Sequence, residues 1–239
     1  MLLASGVIYL GYRIQSNVER NKRFGGVLRG FTDEAEKSMK NGTLPKFNPP
    51  GDKALDVESR GLTDMAQAMV SVVGRMNEEL DRVGAKPVFD PSVLSSKTTL
   101  KEEINKRIES YHIVQKWQPQ LPSLVFDAMK KKVDSYNDPD KEKIIRGIEQ
   151  AMIDQRPMFE TMCNLLEKKE TAEQAFLSFM ASSDYQFKDG KVFFRSRTAT
   201  QSEQYNAFGQ RVEDSYKEIE AFRKQRLDEM KKRAAKFGE

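Results

Sequence analysis

The chain has 239 residues, of which 38% are hydrophobic and 32% are charged, and its 40 basic and 36 acidic side chains leave a net charge of +4. Because the two signs are mixed along nearly every predicted helix, the sequence lacks the one-signed basic stripe of a nucleic-acid-binding domain, and we do not expect nucleic acid as a partner. Apolar residues recur regularly, which excludes a disordered chain and favours helices that each bury one stripe.

The segment from Leu2 to Tyr12 is the most apolar stretch of the sequence. As a helix it would reach only about 16 Å, roughly half of a bilayer's hydrocarbon core. Three interpretations are open: the C-terminal part of a membrane anchor (signal anchor) that begins upstream of Met1, an interfacial helix, and an ordinary core helix. The membrane contacts expected from the first two are Leu2, Leu3, Val7, Ile8 and Leu10.

Basic residues follow this segment at Arg13, Arg20, Lys22 and Arg23. By the positive-inside rule they would hold the rest of the chain in the cytoplasm, whereas basic residues upstream of Met1 would reverse the orientation and leave a bacterial periplasmic location open. We therefore expect a membrane-associated protein on a side that the sequence does not decide. A soluble cytoplasmic protein is the alternative.

The predicted organisation is an apolar and basic helix at residues 1–40, a proline-rich linker at residues 41–52 and a helical bundle domain at residues 53–239. The two glycines at 25–26 favour a kink or break in the first helix. Asp52 is the expected N-cap of the second helix, whose apolar residues recur about every 3.5 positions from Leu55 to Val83. Gly84 is a suitable stop for it.

Further helix starts are predicted from local signals. Asp90-Pro91 and Asp138-Pro139 each combine an N-cap residue with a proline at the first helical position. Pro119 and Pro122 mark a boundary between two helices, and Pro157 is expected to kink or divide a later one. Three pairs have the spacing of a capping box, namely Thr99 with Glu102, Thr171 with Gln174, and Thr200 with Glu203. A stripe from Tyr205 to Phe237 predicts a long final helix.

The segment 185–194 departs from the helical pattern because Asp189-Gly190 stands between alternating aromatic residues, which is the signal of a β-hairpin. With a two-residue turn, Phe187 pairs with Val192 and Tyr185 pairs with Phe194, all on one face. We expect this face to pack on the helices, since an isolated hairpin is marginal in water. The alternative is that the free edge accepts a partner strand, and the predicted partner surface is Tyr185, Phe187, Val192 and Phe194.

The sequence offers little chemistry. His112 and Cys163 are the single histidine and the single cysteine, so a zinc site built from such residues is excluded by count. Glu109 and His112 supply one half of the Glu-x-x-His pattern of di-iron sites, without a second half. Gly-rich phosphate-binding motifs and the Gly-x-Ser-x-Gly elbow are missing. We predict no catalytic residue, no metal site and no cofactor, and a core position for Cys163.

The predicted fold is all-α, an elongated bundle of long amphipathic, coiled-coil-like helices with one short β-hairpin at about residues 185–194. The leading functional hypothesis is a non-enzymatic interaction or scaffold protein, membrane-associated through its N-terminus, with a protein partner or self-association. The alternative is a helical module that binds an apolar small molecule or peptide in a groove lined by methionine and aromatic side chains.

Overall fold

The computed structural model describes residues 18–41, 43, 45–46, 57–135, 141–195 and 199–236. Within these ranges the chain forms seven helices and one two-stranded sheet. The helices are α1 (Val18–Asn41), α2 (Val57–Val83), α3 (Pro91–Leu94), α4 (Lys97–Trp117), α5 (Leu121–Asp134), α6 (Lys141–Ser182) and α7 (Ala199–Lys236), and the strands are β1 (Tyr185–Lys188) and β2 (Lys191–Phe194). The predicted all-α bundle with one short hairpin is confirmed.

Two compact units divide the chain. Unit 1 comprises residues 1–75, 119–160 and 221–239, and unit 2 comprises residues 76–118 and 161–220. The long helices α2, α6 and α7 each contribute residues to the two units. The predicted membrane contacts at residues 2–10, most of the proline-rich linker, Asp52 and Asp138-Pro139 lie outside the described residues.

Unit 1 buries an apolar stripe from each of its helices. Among its most deeply buried side chains are Phe31, Ala35, Met69, Val72, Val125, Met129, Val133, Ile148, Phe159, Leu227 and Met230. Helix α1 continues through Gly25 and Gly26, so of the predicted kink or break the break does not occur. Each glycine costs a helix about 1 kcal/mol relative to alanine, and burial of Phe31 and Ala35 in the following turns offsets that cost.

The short helix α3 and the end of α2 follow the local signals. Helix α2 ends at Val83, and Gly84 takes the left-handed conformation with φ of +63°. Asp90 caps α3 by accepting a hydrogen bond from the Ser92 backbone N–H at 2.7 Å. These two predictions are confirmed because each rests on a backbone requirement that only a few residue types meet.

Helix α4 begins three residues before the predicted capping box. Its N-cap is Ser96, which has an extended backbone and whose Oγ accepts a hydrogen bond from the Thr99 N–H at 3.4 Å. Thr99 is therefore the third helical residue, and the predicted cap at Thr99 is wrong. Thr200 likewise lies inside a helix, because α7 begins at Ala199. Hydroxyl residues close in sequence compete for the cap position, and tertiary packing selects between them.

Helix α6 runs for 42 residues through Pro157 and Thr171. Of the kink or division predicted at Pro157, the division does not occur, and the predicted helix start at Thr171 is wrong. The Thr171 hydroxyl donates to the carbonyl oxygen of Glu167 one turn earlier, at 2.8 Å, as it does inside a continuous helix. Ile148 before Pro157 and Phe159 after it are almost fully buried, and such packing stabilises a helix more than local propensity does.

The hairpin has the predicted register. Tyr185 is opposite Phe194, Gln186 opposite Phe193, Phe187 opposite Val192 and Lys188 opposite Lys191. Asp189 and Gly190 form the turn with φ of +51° and +73°. Positive φ at the two central residues identifies the type I′ geometry, whose twist matches that of the flanking strands.

Candidate partner-binding surface and buried charge network

The inner face of the hairpin packs on the helices of unit 2. Tyr185, Phe187, Val192 and Phe194 contact a buried apolar cluster. That cluster consists of Val88, Val93, Leu94, Leu100, Phe176, Leu177, Met180 and Val212. The expected packing of this face is confirmed, and the four side chains predicted as a partner surface are turned toward the core of the unit.

Lys97 fixes the start of the hairpin to the end of α6. Its Nζ donates to the carbonyl oxygens of Met180 at 2.8 Å and Ala181 at 2.9 Å, and also to that of Ser183. The same Nζ lies 4.8 Å from the ring centroid of Tyr185. A single cation thus satisfies the carbonyl groups that α6 leaves open and covers the first residue of β1. Burial lowers the pKa of Lys97, and the nearby carboxylate of Asp184 opposes that shift.

Tyr185 is held at its other end as well, because its hydroxyl donates to the Leu94 carbonyl oxygen at 2.6 Å. This carbonyl belongs to the last residue of α3. Burial raises the pKa of Tyr185, so the hydroxyl keeps its proton. The hairpin is therefore attached to the turn between α3 and α4 by a hydrogen bond as well as by apolar contacts. Nothing in the sequence around Leu94 or Lys97 indicated this role, because it depends on residues more than 80 positions away.

The hydrogen-bond phase of the ladder shows which backbone groups point outward. The Arg195 N–H donates to the Asp184 carbonyl oxygen at 3.1 Å, so this pair is a hydrogen-bonded one. Bonded and non-bonded pairs alternate in an antiparallel ladder, so the pairs 185–194 and 187–192 are non-bonded. Their N–H and C=O groups face the two free edges of the hairpin. Among the residues that the structure describes, no hydrogen bond joins these outward groups to another segment.

The outer face of the hairpin is exposed. It carries Gln186 and Lys188 in β1, and Lys191 and Phe193 in β2. Phe193 is 52% exposed and is the large apolar side chain of this face. The hairpin thus leaves two features for a partner, the backbone edges and the outer face around Phe193.

A second feature of unit 2 is an open groove of about 450 Å³ between the end of α2 and α4. It is lined by Glu79, Asn105, Ile108, Glu109, His112, Ile113 and Lys116. Glu79 lies 2.9 Å from Lys116 Nζ and accepts a hydrogen bond from Trp117 Nε1 at 3.1 Å. The hydrogen bonds from Lys116 and Trp117 lower the pKa of Glu79. Methionine, phenylalanine and tyrosine are absent from the lining of this groove.

The methionines of the described chain mostly fill the interior. Met69, Met76, Met129, Met152, Met158, Met180 and Met230 are buried. The groove on α4 is therefore not the predicted groove lined by methionine and aromatic side chains. In the part of the chain that the structure describes, no three His, Cys, Asp or Glu side chains lie close enough together to hold a metal ion.

A network of buried charges joins α4, α6 and α7 within unit 2. Arg107 Nε lies 2.6 Å from Glu173 Oε2, although the Nε–H is not aimed along that line. Arg107 also donates to the Lys86 carbonyl oxygen, and Glu173 accepts a hydrogen bond from the Tyr216 hydroxyl. Lys169 Nζ lies 3.3 Å from Glu173 Oε2. Burial and the Glu173 carboxylate together raise the pKa of Tyr216, which keeps the phenol protonated as a donor.

Two more glutamates complete this network. Glu103 accepts from the Lys86 backbone N–H at 2.9 Å and from Lys106 Nζ at 2.7 Å. Glu170 Oε1 lies 2.9 Å from Lys169 Nζ, whereas its buried Oε2 has no hydrogen-bond partner. Burial raises the pKa of Glu170. With three acidic and three basic side chains, the network balances its charge and holds the helices of unit 2 in one arrangement.

Sequence reasoning missed this network because its members resemble solvated charges on helix faces. The available signal was spacing: Glu103 and Arg107, like Lys169 and Glu173, are four residues apart and so share a helix face. The sequence does not show that the two faces meet.

Cys163 is buried as predicted, and burial raises the pKa of its thiol to about 11.

Comparison of the chain with protein-family models, with curated proteins and with solved structures gave no match. Among the helices that the structure describes, none combines the length and the apolar character needed to cross a bilayer.

Proposed function

We propose that this protein is a non-enzymatic interaction protein, and that the hairpin of unit 2 is the surface that binds its protein partner. One observation carries the proposal. The inner face of the hairpin is fixed on the helices, while the backbone groups of residues 185, 187, 192 and 194 point to the two edges, where they form no hydrogen bond with another described segment. A strand held in this way is ready to pair with another strand, because its backbone is already extended and loses little conformational entropy on binding.

The chemistry of the hairpin also fits a selective partner. Each strand has four residues, and Lys188 and Lys191 flank the turn. Short edges with lysine disfavour indiscriminate pairing. Phe193 adds an exposed apolar contact beside the edge of β2. A partner would gain backbone hydrogen bonds from an edge and apolar area from this ring.

The test is capture of partners by the intact chain from an extract of its source cells. Phe187→Pro and Val192→Pro each remove an outward N–H without removing a ladder hydrogen bond. Phe187→Ala and Val192→Ala are the matched controls, because they lose the same side-chain packing and keep the N–H. A partner retained by the alanine variants and lost with a proline variant supports the proposal. A partner retained by all four variants, or lost equally with alanine and proline, would contradict it.

The N-terminal segment gives the proposal a second part, attachment to a membrane. It is supported by the apolar composition of residues 2–12 and the basic residues that follow. The full-length protein is expected in the membrane fraction, and a variant without residues 1–12 in the soluble fraction. If the full-length protein were wholly soluble in salt-free buffer, this part of the proposal would be withdrawn, and the hairpin interaction would stand by itself.

A further inference from the structure

We propose that the partner of the hairpin is a second copy of this chain, with β1 of one copy pairing antiparallel to β1 of the other about a two-fold axis at Gln186. This inference rests on the proposed function, since it names the partner of the same edge.

The register follows from the outward backbone groups. Tyr185 and Phe187 are the residues of β1 whose N–H and C=O groups face the free edge. An axis at Gln186 places Tyr185 of one copy opposite Phe187 of the other, so two hydrogen-bonded pairs form. An axis at any other residue of β1 pairs Tyr185 or Phe187 with a residue outside the strand. The register that uses the full edge is therefore unique.

The charges beside the edge match in this register. Asp184 and Lys188 lie two residues on either side of Gln186, so each Asp184 faces Lys188 of the other copy, twice by symmetry. The two side chains are exposed. Among the described residues Asp184 forms one ion pair, 3.8 Å from Arg195 Nε, in which the two side chains are 69% and 68% exposed, and its carboxylate also attracts the Lys97 ammonium group. The ion pair with Arg195 is long and exposed, so it is weak, and the Asp184 carboxylate can face Lys188 of the other copy as well.

The corresponding edge of β2 does not match. Its outward residues are Val192 and Phe194, which centre a two-fold axis on Phe193. That axis places Lys191 of one copy opposite Arg195 of the other, so two pairs of like charges face each other. A two-fold axis therefore brings like charges together at the β2 edge and opposite charges together at the β1 edge. This difference selects β1 as the edge for self-association.

A charge-swap cycle tests the pairing, with the full chain and sedimentation velocity over a range of concentrations. Lys188→Asp places Asp opposite Asp184, and Asp184→Lys places Lys opposite Lys188. Each is expected to raise the dimer dissociation constant about tenfold, because two pairs turn from attractive to repulsive. The double variant restores opposite charges in exchanged positions and is expected to return to within about threefold of the original chain.

Lys130→Asp is the matched control, since it makes the same charge change at an exposed position of α5 in unit 1, whereas Lys191 lies opposite Lys188 in the hairpin and would pair with it as an aspartate. It is expected to leave the dimer constant unchanged. Far-UV circular dichroism and the unfolding midpoint check that each variant keeps its fold. The proposal is overturned if the chain stays monomeric up to millimolar concentration, if the double variant is as weak as the single ones, or if Lys130→Asp weakens the dimer equally.

The two proposals fail in different ways. A monomeric chain that captures another protein through an edge, lost with a proline variant and kept with its alanine control, would overturn self-association and leave the proposed function standing. A monomeric chain whose captured proteins are the same for all variants would overturn the two together. A dimer that dissociates in the charge-swap cycle as expected supports them jointly.

Discussion

Arg107 Nε of α4 lies 2.6 Å from Glu173 Oε2 of α6, and the two side chains are only 5% and 0% exposed. Charges that are removed from water to this degree are tolerated when their remaining groups are also hydrogen-bonded. Here the Lys86 carbonyl oxygen and the Tyr216 hydroxyl provide such bonds. The pair therefore specifies how α4, α6 and α7 meet in unit 2, and its two members depend on one another.

Removing one member of this pair should be costly. Glu173→Gln leaves the Arg107 guanidinium buried without its counter-charge and is expected to lower the free energy of unfolding by about 3–5 kcal/mol. Urea unfolding followed by circular dichroism measures the change. The matched control is Glu218→Gln, which breaks an ion pair with Lys168 at 2.6 Å whose side chains are 42% and 57% exposed. This control should cost less than about 1 kcal/mol.

Replacing the two members together distinguishes charge burial from lost packing. The double variant Arg107→Met with Glu173→Leu keeps most of the volume and leaves no unpaired charge. It is expected to be more stable than Glu173→Gln by about 1 kcal/mol or more. Equal losses for Glu173→Gln and Glu218→Gln, or a double variant less stable than the single one, would show that the buried pair does not have the structural role assigned to it.

The hairpin and the helix starts show what the sequence was able to predict. Asp189-Gly190 and Asp90-Pro91 gave correct elements because each meets a strict local backbone requirement. Thr171 gave a wrong helix start because its hydroxyl has two uses, as an N-cap or as a donor to the carbonyl one turn earlier. Cys163 before Thr171 and Phe176 after it are buried in the continuous helix, and this burial, which depends on tertiary contacts, favoured the second use.

The candidate site was predictable only in part. The inward face of the hairpin followed from alternation, so Phe187 and Val192 were correctly paired. Which backbone N–H and C=O groups point outward depends on which residue pairs of the ladder are hydrogen-bonded, and the alternation of apolar and polar side chains does not reveal this. The attachment by Lys97 was hidden as well, since its acceptors lie at the end of α6, more than 80 residues away. Side-chain periodicity reports local geometry and carries no information about such distant contacts.

Lys97 should be important for the order of the hairpin. Lys97→Met keeps most of the side-chain volume, and it removes the bonds to the carbonyl oxygens of Met180 and Ala181 and the cation above Tyr185. We expect a loss of about 1–2 kcal/mol, because hydrogen bonds from a charged donor are stronger than neutral ones. Amide hydrogen exchange should accelerate in the hairpin and in the last turn of α6. Lys101→Met, at an exposed position of α4, is the control, and equal exchange in the two variants would contradict this role.

The two glycine positions at 26 and 190 should respond in opposite directions. Gly190 has φ of +73°, so Gly190→Ala is expected to destabilise by about 1–2 kcal/mol through backbone strain. Gly26 lies within α1, and a Cβ added there meets nothing within 4 Å. Gly26→Ala should therefore stabilise by about 0.5–1 kcal/mol. Thermal unfolding of the two variants measures the difference. A destabilising Gly26→Ala would mean that the uninterrupted α1 requires its glycine.

Cys163 should be unreactive in the folded protein. Its thiol is buried, and burial raises its pKa to about 11, so very little thiolate exists near pH 8. Labelling by a thiol-reactive disulfide should be at least about 100-fold slower in the native protein than in urea. Because the chain has a single cysteine, the signal has one source, and Cys163→Ser gives the background. Rapid labelling under native conditions would show that α6 opens around this position.

Glu170 should make the stability depend on pH in an unusual direction. Burial raises its pKa above the ordinary value of 4.5 despite the attraction of Lys169 and Arg107, and Glu173 adds to the rise. The folded state therefore holds the proton of Glu170 more tightly than the unfolded state does. As the pH rises from 4.5 through the raised pKa, ionisation of Glu170 lowers the free energy of unfolding. Glu170→Gln removes that loss. Relative to the original chain, it should gain stability as the pH rises from 4.5 through the raised pKa of Glu170.

Glu79 supplies the control of opposite sign. The hydrogen bonds from Lys116 and Trp117 lower its pKa, so its stabilising contribution is present above pH 4.5 and disappears as the pH falls through the lowered pKa. Glu79→Gln should accordingly lose stability relative to the original chain as pH rises, whereas Glu170→Gln gains it. Urea unfolding of the three proteins below and above pH 4.5 gives the two slopes, since that of Glu79→Gln lies below this pH and that of Glu170→Gln lies above it. If the slope for Glu170→Gln were flat or matched that of Glu79→Gln, the buried carboxyl would be ionised as easily in the folded protein as in the unfolded chain.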